Sequence, residues 1–207
     1  MNSAYNNLNI MNFYGVGDYN IPPIFKNEIK FDNFIGFNFA KTCKNPSENA
    51  IHFFLDDYQF ERVWEMPSRY LNLLKKFQCV CSPDFSMYTD YPKAIQIFAH
   101  FKKHWLAAYW QRHGIKVIPT IGWSDEKSYE WCFDGEPKNA TIAISSVGTQ
   151  NNKKAKKLFL LGYEKMLEVL EPETIIFYGS IPQECRWNIV QIKAFHEKFI
   201  EARMAKC

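Results

Sequence analysis

Short apolar segments alternate with longer segments of helical period from about residue 50 onward. Five runs of strand length are rich in apolar or β-branched residues, at 51–55, 79–82, 115–121, 141–145 and 174–178. Three longer segments repeat apolar residues every three or four positions and predict helices, at 62–77, 93–113 and 154–170. Because strands that alternate with helices form parallel sheets with right-handed crossovers, this pattern predicts an α/β fold.

We expect a mostly parallel sheet of about five to six strands with helices packed around it. The strands are almost continuously apolar, which is typical of strands buried on both faces. Two architectures remain open, an open doubly wound sheet and a partial barrel. A complete barrel is not expected, since eight βα units usually need about 250 residues and the chain has 207.

The two ends of the chain are less regular. We expect a single α/β domain over residues 1–207, with residues 1–49 as an irregular N-terminal extension. The aromatic run FIGFNF at 34–39 would suit an edge strand or a partial closure of a barrel. Residues 187–205 place Ile189, Ile192 and Phe195 at helical spacing, which predicts a final helix packed on the sheet.

Composition narrows the class of protein. Hydrophobic residues make up 47% and charged residues 23% of the chain, which excludes a disordered or low-complexity protein. The net charge of +3 is too small for a protein that coats nucleic acid by electrostatics alone. No apolar run approaches the roughly 20 residues that span a bilayer, so no membrane association is expected.

The cysteines and the N-terminus point to the cytoplasm. Six cysteines are scattered without a CxxC pair, as in proteins with reduced thiols and unlike disulfide scaffolds or zinc sites. Residues 1–14 are rich in Asn and lack the cationic start and apolar core of a signal peptide.

Carboxylates, hydroxyls, an indole and two glycines follow the predicted strands, at the strand ends where ligands bind in parallel α/β sheets. They are Asp56 and Asp57 after the first strand, Asp84 and Ser86 after the second, Trp123 after the third, Ser145, Ser146 and Gly148 after the fourth, and Gly179 and Ser180 after the fifth. We therefore expect one site at the edge of the sheet where the strands end.

Asp57, Asp84 and Ser86 are the candidates for catalysis. Neighbouring carboxylates can act as general acid and base, bind a divalent cation through oxygen, or hold a cationic ligand. Mg²⁺ would suit such oxygens, but no motif indicates it, and we assign no metal site. The structural alternative is that Asp56 or Asp57 caps the following helix, as Asp often does at βα junctions.

The segment SSVGTQ at 145–150 precedes a group of lysines. Small residues at a helix start leave backbone N–H groups open to a phosphate, and Lys153, Lys154, Lys156 and Lys157 would add positive charge for nucleic acid or an acidic partner. The Walker spacing is absent. The structural alternative is a solvated lysine face.

Histidines and tryptophans call for separate interpretation. His100 and His104 have the i, i+4 spacing of metal ligands, but the Glu of HExxH and any third ligand are missing, so we expect them to flank the core. Trp123 follows a strand and is expected to form the wall of a pocket.

Several motifs together resemble a known family. They are HFFLDDYQFERVW at 52–64, SPDFSMYTDYP at 82–92, YWQRHGIKVIPTIGW at 109–123, CFDG at 132–135, AISSVG at 143–148 and YGS at 178–180. This set resembles an uncharacterised family of phage and mobile-element proteins, known only as a domain of unknown function, over about residues 14 to 182. The resemblance implies a phage, prophage or conjugative element of a low-GC bacterium, but no reaction. Its motifs include the strand-end residues Asp57, Asp84, Ser86, Trp123, Gly148, Tyr178 and Gly179.

Two hypotheses of function follow. In the first, the protein binds or acts on a nucleotide or phosphodiester, with Asp56, Trp123, the 145–148 loop, Tyr178 and Gly179 around the ligand. In the second, it is a non-catalytic anti-defence inhibitor of the anti-CRISPR type, which binds a host nuclease or its RNA through the lysines and a buried aromatic or Arg hot spot. Neither hypothesis predicts an oligomeric state.

Overall fold

The computed structural model of the protein describes residues 13–194. Its strands are β1 (Asn33–Gly36), β2 (Asn49–His52), β3 (Cys79–Cys81), β4 (Val117–Ile118), β5 (Thr141–Ser145), β6 (Thr174–Tyr178) and β7 (Ile189–Ile192). Its α-helices are α1 (Arg62–Glu65), α2 (Pro67–Leu74), α3 (Lys93–Arg112) and α4 (Lys153–Leu170). Short 3-10 helices cover Phe37–Thr42, Pro46–Glu48, Asp57–Gln59 and Glu126–Glu130.

The strands pair in chain order and in parallel. β1 to β4 form one sheet and β5 to β7 a second. A parallel bridge from Thr120, just after β4, to Ala143 in β5 links the two sheets. A doubly wound sheet reverses its strand order at a switch point, whereas a barrel adds strands in sequence. The observed order is the sequential one.

Ring contacts show that the strands curl around a common interior. The ring of Tyr178 in β6 lies 4.6 Å from that of His52 in β2, between centroids, and 5.0 Å from that of Phe54. In a flat sheet with strands ~4.8 Å apart, β2 and β6 would be separated by about 19 Å. The described residues contain no strand pairing between β7 and β1. The fold is therefore a partial barrel, one of the two architectures that the sequence left open.

Two layers of buried residues hold this architecture together. One cluster joins the barrel interior to the side covered by α1 to α3 and includes Ile51, Val80 and Ile176. The other lies between α4 and the β5–β7 sheet and includes Phe159 and Phe177. Among the described residues, no helix has the length and apolar character needed to cross a membrane.

The α/β fold with a mostly parallel sheet is confirmed, but the sheets hold more strands than expected. One strand beyond the five apolar runs is β1, which begins one residue before the aromatic run at 34–39 and is the edge strand that this run suggested, paired with β2. The other is β7, where the sequence predicted a helix over 187–205. That prediction is wrong for Ile189–Ile192, which pair with β6; the remainder, from residue 195, lies outside the described residues. Ile-Val-Gln-Ile is β-branched at three of four positions and meets an open edge of β6, so tertiary pairing prevails over the helical spacing.

The predicted helix at 62–77 is divided into α1 and α2. Pro67 takes the first position of α2 and restricts the backbone of the preceding residue, so Met66 leaves the helical region with φ −136 and ψ 64. Helix α4 matches its prediction closely. It begins after Asn152, whose side chain accepts hydrogen bonds from the N–H groups of Lys154 and Ala155.

Candidate functional site

A cleft of about 1090 Å³ opens at the carboxyl ends of the strands. Residues at or just after the ends of all seven strands line it, among them Gly36, Phe54, Asp84, Trp123, Ser145, Tyr178 and Lys193. Ligands of parallel barrels and sheets bind at this edge, because the loops that follow the strands converge there. The structure thus brings many of the predicted strand-end residues to one cavity.

Asp84 provides a carboxyl group inside the cleft. It follows β3 by three residues and is only partly exposed. Removal from water raises the pKa of Asp84 to about 7; the positive charge of Lys103 opposes this rise, and the negative charge of Asp57 adds to it. A carboxyl with a pKa near 7 can both give and take a proton at neutral pH, as a general acid or base must.

Asp57 does not itself line the cleft, and its carboxylate accepts hydrogen bonds from Ser86. Its Oδ1 accepts a hydrogen bond from Ser86 Oγ at 2.9 Å, and its Oδ2 accepts one from the Ser86 backbone N–H at 3.1 Å. Asp56, at the start of the following 3-10 helix, makes no side-chain capping bond and stands exposed on the rim of the cleft. Asp57 thus joins the segment after β2 to the segment after β3 and holds Ser86 beside Asp84.

Substitution of Ser86 by Ala is expected to lower stability modestly. It removes the Oγ donor to Asp57 while the backbone donor stays, so the loss is about 0.5 to 1.5 kcal/mol, or roughly 1 to 6 °C in the melting temperature. Thermal melts of Ser86→Ala beside the exposed-serine control Ser47→Ala measure it. An unchanged melting temperature in Ser86→Ala would show that the Oγ contact adds nothing to the fold.

Trp123 forms an aromatic wall of the cleft and lies against helix α4. A Cβ placed on Gly162 would stand 2.1 Å from Trp123 Nε1, so the indole packs directly on the helix backbone. Its ring centroid is 5.5 Å from that of Phe159. The absence of a side chain at Gly162 therefore allows the indole of Trp123 to pack against α4. The helical pattern of the sequence did not predict this contact.

The loop after β5 combines cleft-lining and structural residues. Ser145 and Gly148 line the cleft, and Gly148 has the left-handed φ of +82. Ser146 is buried, and its Oγ donates to the backbone oxygen of Ser180 at 2.6 Å. Gly179 packs against Ser146, since a Cβ there would lie 3.1 Å from Ser146 Oγ. Ser146 and Gly179, predicted as ligand-binding residues, thus shape the loop without lining the cleft.

The predicted group of lysines is divided between two faces. Lys154 lines the cleft beside Asn152. The others, Lys153, Lys156 and Lys157, surround a small depression on the outer side of α4. There, Lys156 Nζ donates to Glu184 at 2.8 Å. Because Asn152 already accepts from two amides of the first turn of α4, fewer N–H groups are open to a phosphate than the sequence suggested.

Sequence reasoning did not include several residues that line the cleft, among them His52, Phe54 and Lys193. Phe54 stacks with both His52 and Tyr178, whose rings are tilted by 42° to each other, and the three form a second aromatic surface. A signal for His52 was present, since it is the one polar residue in the predicted strand at 51–55. Lys193 comes directly after β7, in the segment that the sequence predicted as a helix. Its position at the cleft could be predicted only if this segment were recognised as a strand.

Comparisons with known proteins point to a family without a known activity. A family model described as a domain of unknown function, DUF4417, matches residues 13–196. The chain is 35% identical over 173 residues to the Gene 1 protein of Mycobacterium phage L5. The aligned region covers 83% of this chain and 76% of that protein. It is 38% identical over 149 residues to the Gene 1 protein of Mycobacterium phage D29, covering 72% of this chain and 55% of that protein, so it spans little more than half of that relative. No solved structure matches.

Proposed function

The chain belongs to the DUF4417 family of unknown function, which has relatives encoded by phages, and we propose that it binds a nucleotide or phosphodiester in the strand-end cleft. Membership confirms the resemblance noted in the sequence. In the proposed complex, the cleft holds the ligand and Asp84 acts as its acid–base group. The observation that carries this proposal is the position of the Asp84 carboxyl inside a large cleft with aromatic walls.

The walls of the cleft favour a planar ring. Trp123 presents an indole on the side of α4, and Phe54 and Tyr178 form a stacked pair whose centroids are 5.0 Å apart. Every nucleobase has a flat π-face, and stacking on an aromatic side chain contributes about 1 to 3 kcal/mol per base. At about 1090 Å³, the cleft is large enough for a nucleotide with part of a neighbouring group.

The charges in the cleft suit a ligand that carries phosphate. Lys154 lies at the start of α4, where the helix dipole also favours an anion, and Lys193 follows β7. Asp84 carries little negative charge below its pKa of about 7, so an anion can approach it without strong repulsion. Once bound near Asp84, a phosphodiester or a base would have a proton donor or acceptor within the same cleft.

The inhibitor hypothesis remains a prediction from the sequence. Part of its support was the group of lysines near Lys153, whereas Lys154 lines the cleft and Lys156 is paired with Glu184 on the other side of α4. The geometry therefore supports the ligand-binding hypothesis better.

Calorimetry with nucleoside mono-, di- and triphosphates and short single-stranded oligonucleotides, with and without Mg²⁺, tests the proposal. We expect one of these ligands to bind the wild type and Trp123→Ala to bind it at least fivefold more weakly, since it loses a stacking surface. Asp84→Asn should keep binding and lose any turnover of that ligand. Tyr14→Ala, an exposed aromatic outside the cleft lining, serves as the control.

Two results would overturn the proposal. One is the absence of heat and of thermal stabilisation for every ligand of the panel with the wild type. The other is equal affinity in wild type and Trp123→Ala, which would place the ligand away from the cleft.

A further inference from the structure

Two histidines and a glutamate meet in the interior behind the cleft. His100 and His104 lie one turn apart on α3, are 1% and 0% exposed, and have ring centroids 4.3 Å apart. Glu136, whose side chain is fully buried, reaches them from the segment before β5. One candidate ligand atom from each of the three residues lies within 4.8 Å of the other two.

The hydrogen bonds of the two imidazoles determine where their protons are. His104 Nδ1 is 2.9 Å from the backbone oxygen of Pro22, and His100 Nε2 is 3.1 Å from that of Asp134. A carbonyl oxygen only accepts, so these two nitrogens carry hydrogen. In a neutral ring the second nitrogen then has a lone pair, on His104 Nε2 and on His100 Nδ1.

The polar atoms of this cluster do not have enough hydrogen-bond donors among them. His104 Nε2 is 3.0 Å from Glu136 Oε1, so two acceptors are in contact. His100 Nδ1 and Glu136 Oε2 are buried without a hydrogen-bond partner. A proton on His104 Nε2 would relieve the first contact only. A cation bound by all three side chains would satisfy the two orphaned atoms as well.

We propose that His100, His104 and Glu136 bind one divalent transition-metal ion of the zinc class, at a site separate from the cleft. Two imidazole nitrogens and one carboxylate are a zinc ligand set, and nitrogen ligands disfavour Mg²⁺ and Ca²⁺. Metal-binding histidines almost always donate their other N–H to a carbonyl or carboxylate, as both do here. The sequence argument against a metal depended on a missing third ligand, which the fold supplies as Glu136.

Lys103 shares the carboxylate with the proposed ion. Its Nζ donates to Glu136 Oε1 at 2.5 Å and to the backbone oxygen of Thr120 at 2.9 Å. This contact orients Glu136, while the positive charge lowers the affinity for a second cation. The ion would tie α3 to the segment before β5 and, through the histidine N–H groups, to Pro22 and Asp134, so it should stabilise the fold.

Metal titration of the untagged full chain after treatment with a chelator tests the site. We expect the wild type to bind one equivalent of Co²⁺, with a visible d–d spectrum, and one equivalent of Zn²⁺. Zn²⁺ at 100 times its Kd should raise the melting temperature by about 5 to 10 °C. His104→Gln and Glu136→Gln should bind at least 10-fold more weakly. The matched control is His113→Gln, a histidine of the same helix region that bonds to Tyr109.

If a variant fails to fold, the measurements on the wild type alone still decide the test. An unchanged Co²⁺ spectrum together with no effect of Zn²⁺ on wild-type melting would overturn the proposal, as would wild-type affinity in folded His104→Gln. Lys103→Met adds an independent measurement. We expect it to bind Co²⁺ more tightly than the wild type, because the competing ammonium is gone. Weaker binding by folded Lys103→Met would contradict the arrangement.

Discussion

Asp84→Asn is expected to melt above the wild type at pH 8, and the difference between the two proteins should shrink steadily as the pH falls toward 4. Burial raises the pKa of Asp84 from the usual 3.8 to about 7 in the folded protein. Between these two values the folded chain keeps a proton that the unfolded chain releases, so the free energy of unfolding falls as the pH rises from about 4 to about 7. Above pH 7 this loss is complete.

The expected size of this effect is large for one side chain. Each pKa unit corresponds to about 1.4 kcal/mol, so the shift amounts to at most about 4 kcal/mol, and contact with water in the cleft reduces it to roughly 2 to 4 kcal/mol. Asparagine has nearly the same shape and no charge to desolvate. The melting temperature of Asp84→Asn at pH 8 should therefore exceed that of the wild type by about 4 to 16 °C.

Thermal melts at pH 4, 5, 6, 7 and 8 measure the difference between the two proteins. Asp56→Asn is the matched control, since Asp56 is exposed on the rim of the same cleft and should show no such pH-dependent gap. A lower melting temperature of Asp84→Asn at pH 8 would mean that the Asp84 carboxylate stabilises the fold. Such a result would also remove the argument that its charge is held in the cleft for function.

Gly162→Ala is expected to destabilise the protein, although the same change stabilises most helices. Alanine in a helix interior is favoured over glycine by about 1 kcal/mol. At this position, however, the new Cβ would be 2.1 Å from Trp123 Nε1 and 2.3 Å from two further indole atoms. The rigid ring must move as a whole, and overpacking of this kind costs about 1 to 3 kcal/mol. The displaced Trp123 should also weaken ligand binding in the cleft.

A double-mutant cycle separates the two effects. In the Trp123→Ala background the clash is gone, so Gly162→Ala should raise stability by up to about 1 kcal/mol. The sign of the substitution thus reverses with the residue at position 123. Chemical denaturation of the four proteins of the cycle measures this reversal. The same sign in both backgrounds would show that Trp123 does not rest on Gly162.

Local sequence patterns were sufficient to predict elements whose residues strongly favour one type of secondary structure. The runs TIAIS and TIIFY predicted β5 and β6 with the bounds that the structure has, because β-branched and aromatic residues favour a buried strand. The parallel order then placed Asp84, Trp123 and Ser145 at one edge of the sheet without any knowledge of contacts. For Ile189–Ile192 the same local reasoning failed, since the spacing of two isoleucines suits either a helix or a strand and the open edge of β6 decides.

The sequence by itself therefore determined the α/β class, the parallel strands and the edge at which polar side chains collect, since these follow from residue types and near neighbours. Only the tertiary structure decided the curl of the sheets that brings Tyr178 into contact with His52 and the burial that raises the pKa of Asp84. It also decided the packing of Trp123 against Gly162 and the contact of Glu136 with His104. Each of these depends on a contact between residues far apart in the chain. Such contacts depend on strand register and helix packing, which no local pattern of hydrophobic and polar residues specifies.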